Sequence, residues 1–255
     1  MLSVTTLSAF VRLASLGPGC EPWPECYHER PAMAERYDAE AAASAPVEAA
    51  RGAHRAAAST VLVVIIVLLV LSLGPRPYLQ REGRHAMVLL LLAVFLTVLG
   101  RWSAGVPSPG VVVGNLVGGF LMFALCVRLA WPAVAAERSG GAGIALNVAL
   151  GLVILQIAGG AAGHPLHRFA AAAVVLAAGW FAWTQLRGGG ARHLAVALLA
   201  LVGLQLALGL AQFALGLPLA LVLAHNVTAM LLLTVLLCQK PLPLLDAPHA
   251  TAGQA

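Results

Sequence analysis

Residues 193–239 read HLAVALLALVGLQLALGLAQFALGLPLALVLAHNVTAMLLLTVLLCQ, with no Asp, Glu, Lys or Arg. As one straight helix this run would be about 70 Å long, more than twice the roughly 30 Å of a bilayer's hydrocarbon core. It must turn back, and Leu215-Gly216-Leu217-Pro218 holds the chain-breaking residues that allow it. The end of the chain is therefore a hairpin of two apolar helices.

The same reading extends outward. Further uncharged runs cover 56–75, 86–100, 102–127, 139–167 and 169–186. Together they predict seven spans, at 56–75, 85–101, 109–130, 142–162, 167–187, 192–215 and 218–238. No segment alternates polar and apolar residues, which excludes barrel strands. The composition agrees: the chain is 60% hydrophobic and 10% charged, against about 25% charged in soluble domains. The mean hydropathy is +0.90. A soluble domain, a disordered tail and a nucleic-acid binder are excluded. The fold class expected is an all-α integral membrane protein in a lipid bilayer. Met1 to Leu16 is apolar but too short to span, and reads as the outer end of a first helix whose beginning lies upstream. That makes about eight transmembrane helices.

Loop charges give an orientation. The segment 17–55 carries seven of the ten acidic residues, Glu21, Glu25, Glu29, Glu35, Asp38, Glu40 and Glu48. Arg76, Arg81 and Arg84, then Arg128 with Arg138, Arg187 with Arg192, and Lys240 fall at the opposite ends. The positive-inside rule predicts those ends in the cytoplasm of a bacterial-type inner membrane, with 17–55 on the periplasmic side. Cys20 and Cys26 stand in that outer loop, where an oxidising compartment permits a disulfide. Two free thiols remain the alternative, and a zinc pair lacks further ligands. Cys126 and Cys238 read as small apolar packers inside helices.

The chain also resembles itself. His54-Arg55-Ala56-Ala57-Ala58 opens one apolar stretch and His167-Arg168-Phe169-Ala170-Ala171 opens another 113 residues later. Pro109 precedes Asn115 by six residues, and Pro218 precedes His225 by seven. The expected organisation is two tandem four-helix-bundle halves: 1–131 with the cysteine loop, and 142–239. An inner linker, 132–141, joins them, and 240–255 forms a cytoplasmic tail. A histidine inside a span is costly unless it faces a partner or cavity. His167 and His225 lie at similar depth on what read as neighbouring helices, so they can ligate one metal. In a helix bundle a b-type haem fits that pair. Arg168 beside His167 suits haem propionates. A snorkelling or headgroup role is the plain alternative for each interfacial His or Arg, and a helix–helix hydrogen bond for His225. His164 reads as a turn residue. Gln156, Gln205 and Gln212 read as interhelical hydrogen-bonding groups.

Residues 9–26, with Ala9-Phe10-Val11-Arg12-Leu13 and Cys20-Glu21-Pro22-Trp23-Pro24-Glu25-Cys26, resemble the outer helix end and cysteine loop of haem A synthase. The two His-Arg starts and the stretches Leu155-Gln156-Ile157-Ala158-Gly159-Gly160 and Leu204-Gln205-Leu206-Ala207-Leu208-Gly209 are similar to that family too. The resemblance spans roughly 5–240. It implies a haem b between His167 and His225, with Arg55 and Arg168 beside the haem sites. It implies an N-terminal half that oxidises the haem O methyl group to the formyl of haem A for cytochrome oxidase assembly. The family's paired outer cysteines fall on Cys20 and Cys26, and its first catalytic-half ligand on His54. Partners implied are haem O synthase and other oxidase assembly factors; a homo-oligomer stays open, and no nucleic acid is expected.

The chain departs from the family at two places. Asn115 stands where the second N-terminal histidine is expected, and Arg51 where a carboxylate is expected, with Glu48 three residues before it. The outer turn at His164 is also shorter. An iron held by His54 alone would keep an open position for oxygen chemistry; otherwise the N-terminal half binds no haem. The enzyme reading therefore stands beside a catalytically degenerate haem-b-binding assembly or electron-transfer protein. A quinol-linked cytochrome would want a second histidine pair, and a transporter would want matching broken helices.

Overall fold

The computed structural model describes residues 1–16, 38–74, 79–102, 108–130, 140–188 and 192–240. They form α1 (Leu2–Leu16), a single turn α2 (Ala39–Ala42), α3 (Ala45–Leu73), α4 (Gln80–Trp102), α5 (Pro109–Ala130), α6 (Gly140–Ala161), α7 (His167–Arg187), α8 (Arg192–Ala214) and α9 (Leu219–Gln239). No strand occurs among the described residues. The seven helices from α3 to α9 are each long and apolar enough to cross a membrane. The chain is an all-α, multi-pass membrane protein. Cys20, Cys26 and most of the segments 132–141 and 240–255 lie outside the described residues.

The expected spans hold, with two early starts, one of them α4, which begins at Gln80 rather than 85. The first long helix begins at Ala45 rather than 56. Ala, Glu and Arg are strong helix formers and Pro46 suits the first turn, so the helix runs through charged residues that an uncharged-run criterion cuts away. His54 consequently sits about two and a half turns inside α3 rather than opening it.

Packing follows two rings. α1 touches α3, α3 touches α4, α4 touches α5, and α5 touches α1. Likewise α6 touches α7, α7 touches α8, α8 touches α9, and α9 touches α6. Between the rings, α9 lies against α5 and α1, and α5 against α6. α9 is thus the shared helix, with half of its apolar window buried, against 11% for α3 at the rim. The main core joins Phe120 and Ala124 of α5 to Leu146, Phe181, Leu198 and Leu233. Val63, Val67 and Val70 of α3 and Leu91 of α4 are exposed, as lipid-facing side chains should be.

The helix ends explain how the histidines are placed. α6 closes at Gly163 (φ 65°), with the His164 N–H donating to the Gly159 carbonyl at 2.9 Å. α8 closes at Gly216 (φ 73°), with the Leu217 N–H donating to the Gln212 carbonyl at 2.7 Å. Both are left-handed glycine stops with a bond reaching back five residues. Each delivers the chain into the next, histidine-bearing helix, α7 or α9. At the other end of the bundle Arg128, fully buried, donates from Nη1 to the carbonyls of Leu237 (2.7 Å) and Lys240 (2.5 Å). A cation there satisfies the last carbonyls of α9 and complements its dipole. Gln185 Nε2 donates to Gln239 Oε1 at 2.9 Å, and Lys240 reaches Asn147, so α7 and α6 are tied to the same end.

Candidate functional site: a histidine pair between α7 and α9

His167 is the first residue of α7, and His225 lies about two turns into α9. These helices are not nearest neighbours in sequence or packing: they stand opposite each other, flanked by α6 and α8. The two imidazoles nonetheless meet inside the ring of helices, with centroids 6.3 Å apart and planes at 74°. Both side chains are half-buried.

α6 holds His167. Its Nδ1 lies 2.9 Å from the Gln156 carbonyl oxygen, which can only accept, so Nδ1 carries the proton and Nε2 keeps its lone pair. The Gln156 side-chain amide donates back to the His167 carbonyl at 2.6 Å. A Cβ placed on Gly160 would stand 2.7 Å from His167 Cε1 and 3.0 Å from Nδ1, so the ring packs directly on that glycine. α8 meets His225 differently, through a side-chain amide that can only donate, so His225 Nε2 is the acceptor. Gln205 Nε2 lies 3.0 Å from His225 Nε2, and a Cβ on Gly209 would be 3.5 Å from His225 Cε1. Three polar atoms around the pair, His225 Nδ1, Gln156 Oε1 and Gln205 Oε1, are buried without a hydrogen-bond partner.

This donor set fits a haem better than a bare ion. Among the described residues no group of three or more His, Cys, Asp or Glu could hold a metal. Two imidazoles alone leave an ion undercoordinated, whereas a porphyrin brings its own equatorial nitrogens. With a metal–imidazole bond of about 2 Å on each side and ~1 Å from nitrogen to ring centre, two axial rings stand roughly 6 Å apart. The observed centroid separation matches that span. Arg168 is exposed, its guanidinium 4.6 Å from the Phe213 ring centre, at the same end as the pair.

The N-terminal residues are arranged differently. His54 is half-buried, with Nδ1 3.0 Å from the Val4 carbonyl, and Arg55 is exposed. Arg51 forms an ion pair with Glu48 and donates to the Ala42 carbonyl at 3.3 Å, so these two residues partner each other. On α5, which faces α3 across its ring, Asn115 is half-buried. The residue before it meets α4: a Cβ on Gly114 would lie 2.5 Å from Leu99 Cδ2, and one on Gly118 2.7 Å from Leu96 Cδ2. Consecutive helical residues point about 100° apart, so Gly114 and Asn115 do not share a face. Leucine packs on the α5 backbone at that level.

Elsewhere, His164 Nδ1 accepts the Leu166 N–H at 3.1 Å within the turn. Cys126 and Cys238 are free and half-buried. The sequence reading singled out neither Gly160 nor Gly209. Their signal was the shared spacing, Gln156 to Gly160 and Gln205 to Gly209, which puts glutamine and glycine on one helix face a turn apart.

Residues 162–237 match the family described as cytochrome oxidase assembly protein. No curated protein and no solved structure matches the chain. The matched stretch runs from the turn before α7 almost to the end of α9, and it encloses His167, Gln205, Gly209 and His225. It supports a role in cytochrome oxidase assembly, as the sequence resemblance implied. Over residues 162–237, which hold both histidines of the pair, the chain is thus similar to the family described as cytochrome oxidase assembly protein.

Proposed function

We propose that this protein serves cytochrome oxidase assembly as a haem protein resembling haem A synthase, with a b-type haem between His167 and His225. The observation that carries this reading is the half-buried imidazole pair of His167 and His225, with ring centroids 6.3 Å apart, which would hold the haem between them. Such a haem supplies one-electron transfer. The chain's own part would be to leave Nε2 of His167 available by engaging its Nδ1, to bring His225 to it on α9, with the Gln205 amide giving up His225 Nε2 to the metal, and to offer Arg168 to propionates at the bundle's end. The end bearing the pair is the periplasmic one by loop charge, in a bacterial-type inner membrane. In the enzyme reading, the N-terminal half would hold haem O at His54 while dioxygen, reduced by electrons passing through the C-terminal haem, would oxidise its methyl group. Cys20 and Cys26 would form that half's outer disulfide, and haem O synthase would be the supplier.

A second reading has its own support: the protein binds haem b and assists assembly or electron transfer without oxidising haem O. Leu99 and Leu96 packed on Gly114 and Gly118 fill the α4–α5 interface, and Asn115 is a poor iron ligand. Haem extraction from purified wild type, His54→Ala and His225→Ala separates the readings. Haem O or haem A lost with His54→Ala supports the enzyme. A single haem b lost only with His225→Ala supports the second reading. Protein free of haem overturns both.

A further inference from the structure

We propose that Gln205 of α8 competes with the haem iron for Nε2 of His225, so that the two axial histidines differ: His167 is the fixed ligand and His225 the exchangeable one. This rests on the haem reading above and adds to it which ligand can be released.

The contrast begins with the bonds that each ring makes. A neutral imidazole has one N–H and one lone pair, and a metal needs the lone pair. His167 gives its N–H, at Nδ1, to a main-chain carbonyl of α6, which keeps the lone pair of Nε2 out of that bond. At His225 the lone pair itself is engaged. The Gln205 amide nitrogen, 3.0 Å from Nε2, can only donate, so Nε2 accepts. The proton then sits on Nδ1, which is buried without a partner. A metal about 2 Å from Nε2 would overlap an amide nitrogen 3.0 Å from it along the same lone pair, so each excludes the other.

Packing draws the same distinction. A Cβ on Gly160 would come within 2.7 Å of His167 Cε1, so that ring has no room to move towards α6. The His167 backbone is tied as well, its N–H to the His164 carbonyl at 2.9 Å and its carbonyl to the Gln156 amide at 2.6 Å. His225 has a looser seat. A Cβ on Gly209 would lie 3.5 Å from its Cε1, an ordinary contact distance. The one hydrogen bond recorded for its ring ends on a long side chain rather than on backbone. Gln205 Oε1 is buried without a partner, so that amide is held by His225 alone among the described residues. A glutamine tied by a single bond regains rotamer freedom once the bond is given up.

Two arrangements of the site follow. With the amide withdrawn, His225 serves as the second ligand opposite His167. With the amide engaged, His167 alone is available. Ligation by His225 therefore costs the bond to Gln205, which lowers haem affinity by about 2–10-fold, the worth of one hydrogen bond.

The test uses the full-length protein in detergent, depleted of haem and titrated with haemin. Wild type is compared with Gln205→Leu, Gln205→Met and Gln156→Leu. The last is the control, because the Gln156 side chain meets the His167 main chain and not its ring. Affinity is read from absorption and spin state from EPR, and nitrogen NMR of histidine-labelled, haem-free protein reports on the His225 ring. Gln205→Leu and Gln205→Met should bind haem about 2–10-fold more tightly than wild type and hold a larger low-spin fraction. The NMR signal of His225 Nε2 should show a hydrogen-bonded lone pair in wild type and a free one in both Gln205 variants. Gln156→Leu should show neither change. If the Gln205 variants bind no more tightly than wild type, or Gln156→Leu gains as much, the competition is overturned; the haem reading then stands where His225→Ala still loses the haem. If wild type takes up no haem, both are overturned.

Discussion

The Nδ1 of His54 faces the carbonyl oxygen of Val4 on α1 at 3.0 Å, and so makes to an earlier helix the bond that His167 makes to the Gln156 main-chain carbonyl of α6 at 2.9 Å. The carbonyl fixes the proton on Nδ1 in both and leaves Nε2 as the available lone pair. The repeated His-Arg therefore has a repeated hydrogen bond beneath it. What differs is the far side, where α9 supplies His225 and α5 supplies a glycine with leucine against it. His54→Ala should accordingly leave a haem held by His167 and His225 in place, as checked by its spectrum after purification.

Gly160 tolerates no side chain. Gly160→Ala should displace the His167 ring and cost about 1–3 kcal/mol, the usual range for forced overpacking. Gly151→Ala, on the same helix with nothing within 4 Å of the new methyl, should be neutral or stabilising. Thermal unfolding of the two variants in detergent makes the comparison, and equal effects would refute the contact.

Arg128 is the cap of a helix that both rings share. Arg128→Leu should remove charge-assisted bonds to two carbonyls and lower stability by about 3 kcal/mol. Arg128→Lys should recover only part of this, since an ammonium lacks the planar fork. The midpoint of thermal unfolding ranks the three proteins, and a wild-type midpoint in Arg128→Leu would rule the cap out.

Leu217 has φ 60° in the turn before Pro218, a left-handed conformation that costs a side-chain-bearing residue roughly 1–2 kcal/mol. Leu217→Gly should therefore be neutral or raise the unfolding midpoint, whereas Gly216→Ala, at φ 73°, should lower it.

Leu99 is buried against Gly114, and Leu99→Ala should cost about 2–5 kcal/mol through the cavity left behind. The same variant should leave the haem spectrum of the C-terminal ring unchanged, since α4 touches neither α7 nor α9 in the ring described. A spectrum altered by Leu99→Ala would show that the two rings are coupled.

Much of this was legible in the chain. Missing charges mark lipid-crossing segments because each ionised side chain is expensive there, and the 215–218 turn follows from run length alone. The start of α3 was not legible, because alanine, glutamate and arginine favour a helix as readily outside the membrane as within it. Nor was the opposition of α7 and α9, which read as neighbouring helices, whereas packing places α8 on one side and α6 on the other. Gln205 could be read as a helix-to-helix bonding group, as it is, but its partner could not be named. Arg128 read as a loop-end charge that orients the chain; that it turns inward to cap α9 depends on where a helix 109 residues later comes to lie.

The α8–α9 turn has a consequence for biogenesis. It carries no ionised side chain from Leu215 to Pro218, and neither does the chain on either side of it from His193 to Gln239. A hairpin of this kind has little to resist its passage through an insertion channel, so its two arms can enter the lipid together as one late unit. His225 then meets His167 only after the long helices that precede α9 have been inserted, so the pair is completed after the rest of the described bundle is in place.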